Sequence, residues 1–277
     1  MIMKTKHLVL TSVVSLFALA AGSGRAQIGY DGTALNYAQN FDSLGTVNLS
    51  WVDGSTLPGW YMQCASATYG SSGVPITLTA VQAGGQSTAQ AYNVGSNGVN
   101  SASDRALGWV TGSATSTAYT GFQLQNNSGQ AFAGTIGITY TIEQYSAKNA
   151  ASDPLISAYK VVASSGSQLT SSSYTTLSTI NSPNTSNTGG AIDGNAAGNR
   201  VTITDTITFT SGSPWNSGYY VWFRLRDTDI SGNDELNAVD DVSITIPALE
   251  AVPEPAAGSL FVLAGLLCLN HLQRRKR

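Results

Sequence analysis

The chain has 277 residues, of which 42% are hydrophobic and only 10% charged, against roughly 25% charged residues in ordinary soluble domains. Between residues 27 and 250 six basic side chains face fifteen acidic ones, a net of −9. That balance does not suit nucleic acid or anionic lipid as partners; it suits divalent cations and neutral or cation-bridged polysaccharide.

At the N-terminus Lys4 and Lys6 precede an apolar run from Leu8 to Ala21 and then small residues. This order predicts a secretory signal peptide over residues 1–26, cut by signal peptidase after Ala26. No cysteine lies near that point, so a lipoprotein is not expected. His7 lies in this segment and His271 in the C-terminal tail, and Cys64 is the only cysteine between 27 and 250. A Ser-His-Asp triad, a Cys-His dyad, a His-ligated zinc site and an internal disulfide are therefore excluded from residues 27–250. Cys64 reads as a small buried hydrophobe.

The region 27–246 reads as strands throughout, with no amphipathic helix. Candidates in chain order are Ile76–Val81, 89–94, 106–111, 120–125, 135–143, Leu155–Val162, 201–209, 219–226 and 242–246. Ile136, Ile138, Tyr140 and Ile142 alternate with polar neighbours, as do Val201, Ile203, Ile207 and Phe209, then Tyr219, Val221, Phe223 and Leu225, then Val242, Ile244 and Ile246. A period of two with one apolar face marks antiparallel strands covered on one side. Gly, Asn, Ser and Pro clusters separate them. The expectation is an all-β, two-sheet antiparallel sandwich of jelly-roll type. No repeat of propeller length is present. Segments 164–173 and 181–199, rich in Ser, Thr, Asn and Gly, read as loops; the second is long enough to be functional or disordered.

One stretch concentrates acid. From Asp227 the chain reads Asp-Thr-Asp-Ile-Ser-Gly-Asn-Asp-Glu, with Asp240 and Asp241 just beyond. Calcium takes six to eight oxygen ligands from carboxylates, carbonyls and Asn side chains, which makes Asp227, Asp229, Asn233, Asp234 and Asp240 candidate Ca²⁺ ligands. Asp227, Asp229, Ser231 and Gly232 fall at EF-hand positions one, three, five and six, but the twelfth position is Ala238. It is therefore not an EF-hand. The alternative is a solvated hairpin turn, since turns demand the same residues. Arg224 and Arg226 would then pair with Asp240 or Asp241 across strands.

The C-terminus combines three parts: Val252-Pro253-Glu254-Pro255, an uncharged run over 256–273, and Arg274-Arg275-Lys276-Arg277. At ~1.5 Å per residue the run spans roughly 27 Å, enough for a thin bilayer core. The basic cluster stays cytoplasmic by the positive-inside rule. Residues 247–255 are then a linker, 256–273 a transmembrane helix and 274–277 a cytoplasmic tail, with an uncut anchor as the alternative. This arrangement resembles the PEP-CTERM sorting signal of Gram-negative bacteria. The resemblance implies an exosortase acting at the motif, transient anchoring in the inner membrane, and delivery to the cell surface or an exopolysaccharide matrix.

A second resemblance spans 40–246. It rests on Asn40-Phe41-Asp42-Ser43-Leu44, Leu57-Pro58-Gly59-Trp60-Tyr61, Asp104-Arg105-Ala106-Leu107-Gly108, Ile142-Glu143-Gln144-Tyr145, Ala191-Ile192-Asp193-Gly194-Asn195, Val221-Trp222-Phe223-Arg224 and Asp240-Asp241-Val242-Ser243-Ile244. These pieces are similar to an uncharacterised jelly-roll-like domain of secreted bacterial proteins. The resemblance implies an accessory or binding domain. Relatives carry His after Gly-Asn-Asp where this chain has Glu235.

Three functions are open at this point. A non-catalytic protein could bind or organise exopolysaccharide, with Trp51, Trp60, Trp109, Trp215 and Trp222 as sugar-stacking rings or as core. A glycan-cleaving enzyme needs only two carboxylates, for which Glu143, on the polar face of its strand, and Glu235 are candidates. A surface protein without a specific ligand is the third.

Overall fold

The computed structural model describes residues 27–65, 76–81, 88–95, 104–113, 115–147, 154–183, 190–230 and 234–250. The expected signal peptide, sorting motif, membrane segment and basic tail lie outside the described residues. Among the described residues no helix is long and apolar enough to cross a membrane.

The strands are β1 (Ile28–Tyr30), β2 (Leu35–Gln39), β3 (Leu49–Trp51), β4 (Trp60–Cys64), β5 (Ile76–Val81), β6 (Gln90–Gly95), β7 (Arg105–Val110), β8 (Thr117–Asn126), β9 (Thr135–Gln144), β10 (Ser146–Ala147), β11 (Leu155–Val162), β12 (Thr175–Ile180), β13 (Gly190–Ala191), β14 (Arg200–Thr208), β15 (Tyr220–Thr228) and β16 (Leu236–Ile246). A 3-10 turn spans Asp42–Leu44. One sheet has the order β1-β8-β15-β11-β12, with β4 also beside β8; the other has β14-β9-β16-β7-β6-β5-β3, with β2 also beside β16. β10 and β13 form a separate small ladder.

The all-β sandwich expected from the alternation is present, and the inward face is the one the pattern marks. Ile136, Ile138, Tyr140, Ile142, Val221, Phe223, Val242, Ile244 and Ile246 are all buried in one core. The expectation of purely antiparallel sheets is corrected: β1 runs parallel to β8, and β5 parallel to β6. β1 and β8 are far apart in sequence, and residues 82–89 separate β5 from β6. No tight hairpin therefore fixes either pair as antiparallel.

A second correction concerns β15, which is covered on both faces. Trp222, on its outer face, packs on Tyr61 at 4.6 Å between ring centroids and shares a small cluster with Leu169. Segment 164–173 is a loop, as expected, but one that lies over the sheet. All five tryptophans are core residues, none more than 4% exposed. The reading of these rings as a sugar-stacking platform is thereby overturned. Cys64 is buried, as read.

Polar order inside the core was not foreseen. The buried Asp205 on β14 accepts hydrogen bonds from Tyr140 Oη (2.8 Å), Ser157 Oγ (2.6 Å) and Ser178 Oγ (2.6 Å). It therefore ties β9 and β14 of one sheet to β11 and β12 of the other.

Gly108, in the middle of β7, faces Tyr92 of β6 and Ala238 of β16. A Cβ there would run into the Asn237 carbonyl and lie 2.7 Å from Ala238 Cβ and 2.8 Å from its Cα. Backbone in a sheet centre cannot give way cheaply. Gly108→Ala is expected to cost about 2 kcal/mol or more, lowering Tm by about 4–8 °C in a thermal unfolding measurement.

Candidate functional site

β16 carries two strands end to end along one edge. Leu236–Val239 pair with β7, and Val242–Ile246 pair with β2. Between them Asp240 and Asp241 have no ladder partner on that side. On the opposite side, pairing with β9 shifts register between Asp240 and Ser243, a bulge of the kind that re-aims side chains. Asp241 sits in the left-handed region at φ 48°, as does Phe41 at φ 57°. Strain of this kind in non-glycine residues collects at functional sites.

The gap opens as a polar cavity of about 320 Å³ lined by Asn40, Asp42, Asp104, Asn195, Arg200, Asp240 and Asp241. They arrive from separate places in the chain: Asn40 and Asp42 from the turn after β2, Asp104 from before β7, Asn195 and Arg200 from the segment leading into β14, and Asp240 and Asp241 from β16. Phe41 turns its ring inward onto Trp60 (4.9 Å between centroids), and the same turn sends Asp42 to the cavity. The Asp42 carboxylate accepts from Arg105 N (3.0 Å) and Asn40 Nδ2 (2.7 Å), closing the seam between the end of β2 and the start of β7. Arg105 itself is buried, with its guanidinium directed to Asn93 (Nε to Oδ1, 2.7 Å). Asn195 donates to Asp104 Oδ2 at 2.7 Å. Gly194 allows its loop to lie on the Tyr145 ring, where a Cβ would stand 2.6–2.8 Å from ring carbons.

The electrostatics are those of crowded acid. Burial pushes the Asp240 carboxyl up to about 9, with Glu143, Asp241 and Asp104 adding repulsion. Asp240 is 5% exposed, and its Oδ1 is buried with no hydrogen-bond partner. Glu143, behind the cavity, is pushed up to about 7, chiefly by burial. It accepts from Tyr145 Oη at 2.6 Å. Burial also raises Asp42, with Asp104 and Asp241 contributing.

The acidic residues that stand together in sequence are divided in space. Asp227 is buried at the end of β15, where Thr111 Oγ1 donates to it at 3.4 Å. Asp234 accepts from Ile230 N at 3.2 Å, and burial with the adjacent Asp229 pushes it up to about 6. Asn233 lies outside the described residues. Asp240 belongs to the other place: four strand steps separate it from Leu236, roughly 13 Å at ~3.3 Å per residue. Among the described residues no three His, Cys, Asp or Glu side chains are gathered tightly enough to ligate one ion as they stand.

Two further expectations are corrected. Arg224 and Arg226 are on β15, in the sheet opposite β16, so they make no cross-strand pair with Asp240 or Asp241. Glu143 is not on an exposed polar face; it and Glu235 are each 1% exposed, because the 190–200 loop and the β10–β13 ladder cover that end of β9. Local composition does not mark Asp42, Asp104, Asn195 and Arg200 as site residues, although Asp42, Asp104 and Asn195 fall within the short pieces that carry the domain resemblance.

No protein-family model matches the chain, and no curated protein matches it. Solved structures similar to it include a cyclase from Fischerella sp. TAU (15% identity, 78% of this chain and 100% of that one, TM-score 0.42). Others are the K3 cleaved adhesin domain of Lys-gingipain from Porphyromonas gingivalis (13%, 77% and 99%, 0.37) and the CBM22-1 xylan-binding domain of Paenibacillus barcinonensis Xyn10C (10%, 81% and 99%, 0.30). At these identities and scores no residue role passes from them to this chain.

Proposed function

We infer that this chain is a non-catalytic, exported surface domain of jelly-roll type that associates with extracellular polysaccharide, with a divalent cation held at the acidic cavity. The observation that carries the reading is the unpartnered, buried Asp240 oxygen in a cavity lined by three more aspartates. A buried charge is costly unless it is paired or coordinates a metal, and burial with neighbouring acid pushes the Asp240 carboxyl up to about 9. Calcium supplies the missing charge and accepts the donor set present: Asp oxygens, Asn carbonyls and water. Asp42, Asp104, Asp240 and Asp241 would hold it, drawing inward as it enters. A cation so held retains open positions for sugar hydroxyls or uronate oxygens. In this reading calcium sits at the Asp240 cavity and not at the Asp227–Asp234 segment.

In this reading signal peptidase removes residues 1–26 and an exosortase acts at Val252–Pro255, consistent with the three-part tail. Glycan cleavage is the second reading, favoured by one observation, the Glu143 carboxyl held near 7. A general acid needs that property, but it must also reach its substrate, and Glu143 is enclosed.

The test is thermal unfolding in calcium and in EDTA. Calcium at about a hundredfold its Kd stabilises by about 2.7 kcal/mol, a rise in Tm of about 5–10 °C. An unchanged Tm at millimolar calcium contradicts the cation site.

A further inference from the structure

The outer face of the β11–β15 sheet carries an unusual concentration of positive charge for so acidic a chain. Three of the six basic residues between 27 and 250, Lys160, Arg224 and Arg226, stand on these two strands. Arg224 and Arg226 point the same way, two residues apart, with Ala158 and Ile156 as their ladder partners. They line a groove of about 250 Å³ together with Ser172, Ser173, Tyr174 and Thr176. The lining holds no carboxylate.

Arg224 is fixed in place. Its guanidinium carbon lies 3.7 Å from the Tyr174 ring centroid and 4.9 Å from that of Tyr119. One terminal nitrogen donates to the carbonyls of Leu169 and Ser171. Its Nε, and that of Arg226, are buried without a hydrogen-bond partner. Burial lowers the Arg224 pKa and the adjacent Arg226 charge lowers it further, while the two tyrosines oppose this. Two like charges are therefore held side by side, and neither has an acid of this chain to answer it in the groove.

We propose that this groove is an anion site that takes the carboxylate of an acidic sugar, a uronate residue of a polysaccharide, between Arg224 and Arg226. Guanidinium forks match a carboxylate in plane and in spacing. The Ser172, Ser173 and Thr176 hydroxyls in the lining suit the sugar's own hydroxyls, and the Tyr174 ring, stacked on Arg224, holds that guanidinium in place. The proposal rests on the polysaccharide-binding reading but not on the cation, since the groove's charge is its own. It lies in the sheet opposite the one that carries Asp240.

The experiment is binding of the full chain to polygalacturonate in EDTA, at low and high salt, beside the same polymer with its carboxyls reduced to alcohols. Wild type is expected to bind the acidic polymer saturably without calcium, to weaken with salt, and to leave the reduced polymer unbound. Arg226→Gln is expected to weaken binding about tenfold or more, and Arg226→Lys less. Thr176→Asp changes an exposed groove position and puts a carboxylate beside the arginines; it is expected to act like Arg226→Gln, so a folding defect at Arg226 does not decide the matter. Binding unchanged in Arg226→Gln and Thr176→Asp, equal binding of the reduced polymer, or no binding in EDTA overturns the proposal. So does tighter binding of inorganic polyphosphate, which would assign the groove to phosphate. A missing calcium shift in Tm together with carboxylate binding in EDTA would remove the cation and leave the groove.

Discussion

Asp240→Asn is expected to abolish the calcium-dependent rise in Tm and, in EDTA, to make the protein more stable than wild type. The two effects have one cause. In the unfolded chain an aspartate is ionised above about pH 4, whereas burial and neighbouring acids hold folded Asp240 protonated up to about 9. A carboxyl whose folded pKa is raised contributes most to stability below its unfolded value. That contribution is lost progressively as pH rises from about 4 to about 9. Wild type in EDTA should therefore lose stability across that window, and Glu143, raised to about 7, should add to the loss over its lower part. Asn has no proton to lose, so the variant's advantage should be nil near pH 4 and grow steadily to pH 9. Calcium cancels the penalty in wild type by neutralising the charge, and it has little to act on in the variant. Thermal unfolding of both proteins over this range, with and without calcium, measures it. A variant that keeps the calcium shift, or that is less stable than wild type at pH 8 in EDTA, contradicts the role given to Asp240.

Asp205→Ala should be the more damaging substitution in any buffer. The carboxylate accepts three hydroxyls from both sheets. Removing it leaves Tyr140, Ser157 and Ser178 to find other partners in a closed core. Buried donors left unmade cost about 1–3 kcal/mol each, partly relieved as side chains turn to other acceptors. The expected loss is about 3 kcal/mol, or 6–12 °C in Tm. The same logic predicts strong non-additivity: Tyr140→Phe should cost much less in the Asp205→Ala background than in wild type. Additive losses in that double-mutant cycle would mean that the hydroxyl and the carboxylate do not act together.

Whether a feature is legible in the sequence depends on the kind of information it needs. β14, the first half of β9 and the end of β16 were legible because one face lies in the core and the other is open, so residue type alternates with period two; β15, covered on both faces, still alternates because its outer face carries Arg224 and Arg226. β5 and Leu155–Val162 were found with their ends in place. β4 was missed because Trp60, Tyr61 and Met62 are all buried; a strand covered on both faces does not alternate. β1, β2 and β3 were missed because they are short. The parallel pairs could not be read at all, since direction is set by distant partners.

The site shows the same division. Asp240 was singled out because acid is dense around it in sequence, yet the neighbours that matter to it are Asp42 and Asp104, which arrive from the ends of β2 and β7. Their meeting depends on those two strands sharing one edge of β16, a fact of register and not of local composition. The resemblance pieces containing Asp42, Asp104, Glu143, Asn195 and Asp240 were visible as separate words. Only the fold shows that Asp42, Asp104, Asn195 and Asp240 border one cavity, with Glu143 behind it. The density around Asp227 and Asp234 lies in the connection from β15 to β16, apart from that cavity.

The measurement that bears most directly on the account is co-sedimentation of the purified full chain with the producing organism's own exopolysaccharide, in calcium and then in EDTA. The account predicts saturable binding in calcium that weakens sharply in EDTA, and the same weakening in calcium for Asp240→Asn. Absence of binding in both buffers would contradict polysaccharide association altogether. Binding that is identical with and without calcium, and unchanged in Asp240→Asn, would contradict the acidic cavity as its centre.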